Sequence, residues 1–137
     1  MAVTSSLAVL VVDDSKSTIS IVRRLFHQIG FRDVDDAGDG ASALAKMRAK
    51  GYGLVISDWN MQSMSGYEFL GQIRTDPALK VMPFIMMTAE ANTEKVIAAR
   101  KAGVDNYIIK PFDAATLKAK INSVLAARNA ARDRILD

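Results

Sequence analysis

Short apolar runs alternate with segments of helical spacing along the chain. Runs of about four to eight apolar residues between polar or turn residues are typical of buried β-strands. Four runs are clearly apolar, and a fifth, at 33–37, is more polar. The predicted strands are 7–12, 33–37, 54–57, 84–87 and 107–109.

The segments between the strands carry the three-and-four spacing of amphipathic helices. In 15–29 the spaced apolar residues predict one buried face, and Gly30 follows as a stop signal. Asp113 is a suitable N-cap for a last helix. The spaced residues of the first helix are Ile19, Val22, Phe26 and Ile29. Further helices are predicted over 40–50, around 67–74, over 92–102 and after Asp113.

Five repeats of strand and helix predict an α/β domain. Strands joined by helical crossovers pair in parallel, so helices cover both faces of one central sheet. In such sheets ligands bind beyond the carboxyl ends of the strands. The polar residues that follow each strand are therefore the candidates for chemistry.

Composition narrows the class of protein. With 137 residues, 50% apolar and 24% charged, the chain is expected to form one globular domain without room for a second. The longest apolar run, 7–12, is far below the ~18–20 residues that span a bilayer, and no basic leader precedes it, so we predict a cytoplasmic protein without membrane contact. The absence of Cys excludes disulfides and thiolate sites, and a single His27 disfavours zinc sites.

Polar side chains follow four of the predicted strands. Asp13 and Asp14 follow the first, Asp58 the third, Thr88 the fourth and Lys110 the fifth. Each alone is an ordinary cap, turn or surface residue. Together, at the ends of parallel strands, they are expected to converge on one edge of the sheet.

The converging groups fit phosphoryl transfer. Three carboxylates repel one another unless a cation compensates, and oxygen ligands without His or Cys favour Mg²⁺. Lys110 adds a mobile positive charge and Thr88 a hydroxyl donor. Asp58 stands alone at its strand end and is the predicted nucleophile, whereas the pair Asp13 and Asp14 is suited to holding the ion.

Three motifs resemble a known family: 55–61 (VISDWNM), 88–91 (TAEA) and 110–112 (KPF). Over 7–127 the chain is similar to the receiver domains of bacterial two-component response regulators, and among them to stand-alone chemotaxis members. The resemblance implies a flavodoxin-like, doubly wound (βα)5 fold with sheet order 2-1-3-4-5. Residues 1–6 are then a flexible N-terminus and 128–137 an extension of the last helix.

The resemblance also assigns roles in the site. Asp58 is the phosphoacceptor, and Mg²⁺ is bound by Asp14, Asp58 and the main-chain carbonyl of Asn60. Asp13 acts on the ion through water. Lys110 binds the acyl phosphate, and its bond to Pro111 is cis.

A switch is implied as well. Thr88 binds a phosphoryl oxygen and vacates space into which Tyr107 rotates. Asn60 and Glu90 flank the path of attacking water. No activity is expected beyond Mg²⁺-dependent self-phosphorylation and self-dephosphorylation.

The charge distribution bears on partners. The net charge of +3 alone would suggest nucleic acid, but residues 1–68 carry 7 basic and 8 acidic side chains, and 69–137 carry 11 and 7. The excess lies in the half with the predicted output face, which favours an acidic protein segment instead. The residues expected to frame that face are Val96, Ile109, Phe112 and Lys120.

The resemblance implies a monomer that a CheA-type histidine kinase phosphorylates and that then binds a FliM-type flagellar switch protein, controlling chemotaxis. Two alternatives stay open. One is a receiver that acts in a phosphorelay or on another effector. The other is a haloacid-dehalogenase-type phosphatase, although that class requires Asp-x-Asp where this chain has Asp58 and Asn60.

Overall fold

The computed structural model describes residues 6–90 and 92–136, with side chains up to residue 128. All five predicted strands and all five predicted helices are present, and most of their ends lie within two residues of the prediction. The strands are β1 (Val9–Val12), β2 (Val34–Ala37), β3 (Leu54–Asp58), β4 (Phe84–Thr88) and β5 (Asn106–Ile109). The helices are α1 (Lys16–Ile29), α2 (Gly40–Ala49), α3 (Gly66–Thr75), α4 (Thr93–Ala102) and α5 (Ala114–Leu136).

The strands form one parallel sheet in the order β2-β1-β3-β4-β5, as the resemblance implied. Alternate side chains of β1 point to opposite faces. Val9 and Val11 pack with Phe26 of α1 and Leu117 of α5. Leu10 and Val12 pack on the other face, in a core completed by residues of α2 and α3. Helices therefore cover both faces of the sheet. Because all five strands are parallel, their carboxyl ends lie along the same side of the sheet.

Local capping explains where several helices begin. The Asp113 carboxylate accepts the Thr116 N–H at 2.8 Å, which confirms Asp113 as the N-cap of α5. At α3, Ser65 and Glu68 form a capping box that the sequence analysis did not use. This cap starts α3 immediately after the loop that follows β3.

Asp105 links several elements at the amino-terminal ends of β4 and β5, on the side of the sheet opposite the predicted site. Its carboxylate accepts Arg128 Nε at 2.9 Å and Arg128 Nη2 at 2.8 Å, together with Arg74 Nη2 at 3.0 Å. The Phe84 N–H also donates to it. Arg128 thereby ties α5 to the start of β4 and β5.

The predicted domain boundaries stay predictions. Residues 1–5 of the predicted flexible N-terminus lie outside the described residues, as do the side chains of 129–137. The helix α5 itself continues to Leu136. In the described ranges, no helix has both the length and the apolar character needed to cross a bilayer.

Candidate phosphorylation site

Three carboxylates meet where β1 and β3 end. Asp13 and Asp58 are 1% and 5% exposed, whereas Asp14 is exposed. Each contributes one oxygen to a set whose members lie within 4.8 Å of one another. The neighbouring positions of β1 and β3 bring them together, as the sequence predicted.

Lys110 completes the cluster from the loop after β5. Its Nζ lies 2.8 Å from Asp58 Oδ1 and 3.7 Å from Asp13 Oδ2. The Lys110 N–H donates to the Thr88 carbonyl at 2.8 Å, which fixes the start of this loop on β4. The peptide bond to Pro111 is cis, as expected. The ammonium therefore touches the predicted nucleophile directly.

Asp13 shows that the site has too little positive charge. Its Oδ1 accepts the Ser15 N–H at 2.9 Å, but its Oδ2 is buried and has no hydrogen-bond partner in the described structure. Burial raises the pKa of Asp13 above its ordinary value, and the charge of Asp58 raises it further against the opposing effects of Ser15 and Lys110. A hard cation with oxygen ligands would relieve this imbalance. The residues present therefore fit Mg²⁺.

Asp14 is the exposed member of the carboxylate cluster. Its Oδ2 accepts the Gln62 N–H at 3.2 Å, which links the end of β1 to the loop after β3. Asn60 is exposed in that loop, two residues after Asp58. The predicted metal ligation by the Asn60 carbonyl and the water-mediated role of Asp13 remain predictions.

Thr88 ends β4 beside the site, but its hydroxyl is hydrogen-bonded to the main chain of Glu90. The buried Oγ1 donates to the Glu90 carbonyl at 2.9 Å and accepts the Glu90 N–H at 3.2 Å. To bond a phosphoryl oxygen, the hydroxyl must give up the contact with the carbonyl. The role of Thr88 as a switch residue stays a prediction.

Tyr107 lies beside residues of the predicted partner face. It is half-buried on β5, and the Lys120 ammonium lies 5.3 Å from the centre of its ring. Tyr107, Ile109, Phe112 and Lys120 line one groove of about 330 Å³. Val96, predicted for the same face, is half-buried on α4 and does not line this groove.

Two features of the site escaped the sequence analysis. A Cβ on Gly66 would lie 2.2 Å from the Asp58 carbonyl oxygen, so α3 approaches Asp58 as closely as glycine permits. The Trp59 ring stacks on Tyr67 at 5.8 Å, and Lys95 Nζ lies 5.5 Å from the Trp59 ring centre. The Ser-x-x-Glu pattern that starts at Ser65 indicates where α3 begins, but no sequence pattern indicates these tertiary contacts.

Known proteins define the class to which this fold and site belong. The response regulator receiver domain family matches residues 9–122, and the chain belongs to that family. This assignment disfavours the alternative of a dehalogenase-type phosphatase, because receiver domains are not classical enzymes.

Within the family the chain is a CheY-like receiver. It is 42% identical to the chemotaxis protein CheY-3 of Vibrio cholerae over 110 residues, which are 80% of this chain and 85% of that protein. It is 37% identical to the chemotaxis protein CheY of Pseudomonas aeruginosa over 108 residues, 79% and 87% of the two chains. The crystal structure of Vibrio cholerae CheY4 superposes with a TM-score of 0.81 at 35% identity, covering 87% of this chain and 99% of that one.

Proposed function

We propose that the chain is a chemotaxis switch that receives a phosphoryl group on Asp58 from a CheA-type histidine kinase. The observation that carries this proposal is the contact between Lys110 Nζ and Asp58 Oδ1, at 2.8 Å, inside a cluster of three carboxylates. Such a cluster places one nucleophile, one mobile cation and ligands for a hard metal on one edge of the sheet.

In the proposed reaction an Asp58 carboxylate oxygen attacks the phosphorus of a phosphohistidine. The new O–P bond forms as the P–N bond breaks, and the electron pair of that bond remains on the imidazole nitrogen. Lys110 shifts from the carboxylate toward the incoming phosphoryl oxygens and offsets their charge. Mg²⁺, held by Asp14, Asp58 and the Asn60 carbonyl with Asp13 acting through water, supplies further charge neutralisation when bound.

Self-dephosphorylation is the proposed way in which the signal ends. Water attacks the phosphorus of the acyl phosphate, the O–P bond to Asp58 breaks, and inorganic phosphate leaves. Asn60 and Glu90 are both exposed at the rim of the site. Their positions support the proposal that they flank the path of this water.

Phosphorylation would be transmitted by Thr88 and Tyr107. The phosphoryl group adds close to two negative charges and three acceptor oxygens. The Thr88 hydroxyl then exchanges its hydrogen bond to the Glu90 carbonyl for one to the phosphoryl group, and Tyr107 turns into the vacated space. Because the Lys120 ammonium lies 5.3 Å from the Tyr107 ring, movement of the ring changes the partner face.

The proposed partner of that face is an acidic segment of a FliM-type switch protein. Ile109 is 44% exposed, and the groove that it lines also contains Phe112 and Lys120. We propose that Val96, which lies on α4, also belongs to this face. An acidic amphipathic peptide would place apolar side chains in the groove and carboxylates beside Lys120.

Peptide binding tests this proposal. The affinity of an acidic amphipathic peptide is measured with and without beryllofluoride, an analogue of the phosphoryl group. We expect tighter binding in the activated protein and no difference in Asp58→Asn. Lys118→Ala, which changes an exposed cation outside the groove, serves as the matched control. Equal affinity in both states of the unaltered protein would contradict the switch.

A phosphorelay is the second candidate. A largely apolar groove of about 330 Å³ lies between α1 and the loop that carries Lys110, with Ile21 55% exposed on its wall. This groove would accept a helical partner that brings a phosphohistidine to Asp58. Transfer of the phosphoryl group from Asp58 to a histidine protein, rather than its loss to water, would favour this candidate. A monomeric state and a cytoplasmic location remain predictions.

A further inference from the structure

A basic stripe on α1 is not used by the proposed function. Lys16, Ser20, Arg23, Arg24 and His27 recur at steps that place them on one side of the helix. Together with Ile19 and Asp36, they line an open groove of about 560 Å³. The groove lies beside β2, the edge strand of the sheet.

The cations of this basic stripe are incompletely neutralised. Asp36 is the carboxylate that lines the groove, and it is paired with Arg23 at 2.8 Å. No hydrogen bond or salt bridge joins the side chain of Lys16 or Arg24 to another described residue, and both side chains are exposed. A second groove, which shares His27, continues to Arg32. Lys16 and Arg24 therefore leave an excess of positive charge on this side of the helix.

We propose that the basic stripe is a second docking surface, which binds an acidic segment of a protein partner. From Lys16 to His27 the helix extends ~17 Å, which about five residues of an extended chain would cover. Carboxylates of such a segment would pair with Lys16 and Arg24, which have no partner among the described residues.

The size and setting of the stripe favour a short protein segment over a nucleic acid. A duplex carries one charge per ~1.7 Å and would continue past the end of the helix. Beyond Lys16 it would meet the carboxylates of Asp13 and Asp14 at the phosphorylation site, which repel it. A discrete acidic segment ends before that point.

Docking on the stripe is expected to be independent of phosphorylation. The sheet order places β2 at one edge and β5, with Tyr107 and Ile109, at the other. Four strand spacings of ~4.8 Å separate the two edges by ~19 Å. Neither switch residue lines the basic groove.

The test is an NMR titration of the full, isotope-labelled chain with a peptide of about eight glutamates, long enough to cover the stripe. We expect shifted amides along α1, with and without beryllofluoride. The double variant Lys16→Glu/Arg24→Glu should weaken this binding about tenfold, since each reversal replaces an attraction by a repulsion. The control is Lys101→Glu/Lys118→Glu, which reverses two exposed cations outside the groove and should leave the α1 shifts unchanged.

Three results would overturn the proposal. One is the absence of shifts along α1, whether the shifts are confined to α4, β5 and α5 or no binding occurs at all. Another is α1 binding that the Lys16→Glu/Arg24→Glu variant retains while it keeps the native circular dichroism spectrum. The third is equal affinity for a single-stranded DNA of the same charge, which would make the stripe a general polyanion site.

Discussion

The Lys110 ammonium lies 2.8 Å from Asp58 Oδ1 and 3.7 Å from Asp13 Oδ2, so one mobile cation serves two buried carboxylates. One positive charge does not balance three carboxylates, and the buried Asp13 Oδ2 has no hydrogen-bond partner among the described residues. A bound divalent cation would offset the negative charge that Lys110 alone leaves unbalanced.

Gly66 should be required for the geometry of the site. In Gly66→Ala the new Cβ would lie 2.2 Å from the Asp58 carbonyl oxygen, and relieving this overlap must move α3 or the end of β3. We expect a loss of about 1–3 kcal/mol in the free energy of unfolding, measured in urea, and slower labelling of Asp58.

Gly71→Ala is the matched control on the same helix. Apart from its chain neighbours and the backbone of its own helix, no described atom lies within 4 Å of the added Cβ. Because alanine favours helix, this change should stabilise the protein by about 0.5–1 kcal/mol. Equal effects of the two substitutions would contradict a specific approach of α3 to Asp58.

Trp59 should report metal binding. Trp59 directly follows Asp58 in the chain, and its ring contacts both Tyr67 and Lys95. We expect Mg²⁺ to change its fluorescence and Asp14→Ala to abolish that response, because Asp14 is a proposed ligand. Asp76→Ala, a change outside the carboxylate cluster, should keep the response. A response that survives in Asp14→Ala would remove Asp14 from the metal site.

Asp105 should contribute more to stability than an exposed ion pair does. Asp105→Ala leaves Arg74 and Arg128 without their shared partner, and the Phe84 N–H loses its acceptor as well. We expect urea unfolding to show a loss of ~2–4 kcal/mol. Asp36→Ala removes the more exposed pair with Arg23 and should cost less than ~1 kcal/mol. Similar losses of unfolding free energy in the two variants would show that Asp105 contributes no more to stability than the exposed pair does.

Tyr52 should titrate late. Burial and its hydrogen bond to Asp35, at 2.7 Å, raise the pKa of Tyr52 from 10.0 to about 12. Because the folded state holds this proton more tightly than the unfolded state, the contribution to stability is complete below pH 10 and is lost as the pH rises toward 12.

Absorbance of tyrosinate measures this titration, and Tyr52→Phe should remove the late step. Asp35→Asn should shift the step to lower pH, because the acceptor then lacks its charge. A late step that remains in Tyr52→Phe would assign it to another residue.

The sequence predicted most of the fold because its signals are local. The apolar runs and the stop at Gly30 depend on neighbouring residues, and so does the cap at Asp113. The convergence of Asp13, Asp58 and Lys110 followed from one rule about parallel strands. The strand order came only from the resemblance.

The features that could not be predicted from the sequence depend on contacts between segments that are far apart along the chain. The approach of Gly66 to the Asp58 carbonyl and the position of Lys95 over Trp59 arise only when α3 and α4 pack beside the loop after β3. The binding of Arg128 to Asp105 joins residues 23 positions apart and has no periodic signal. Val96 lies on α4 and does not line the groove that contains Ile109, so its part in the partner face stays a prediction.

Labelling with acetyl phosphate tests the central claim most directly. Mass spectrometry of the intact protein, with Mg²⁺ present, should show one added phosphoryl group, and peptide mapping should place it on Asp58. Asp58→Asn should lose the label, and Lys110→Ala should keep the site but react more slowly. The matched control Lys118→Ala should react normally. A phosphoryl group that still appears in Asp58→Asn at the unaltered rate would contradict the assignment of Asp58 as the phosphoacceptor.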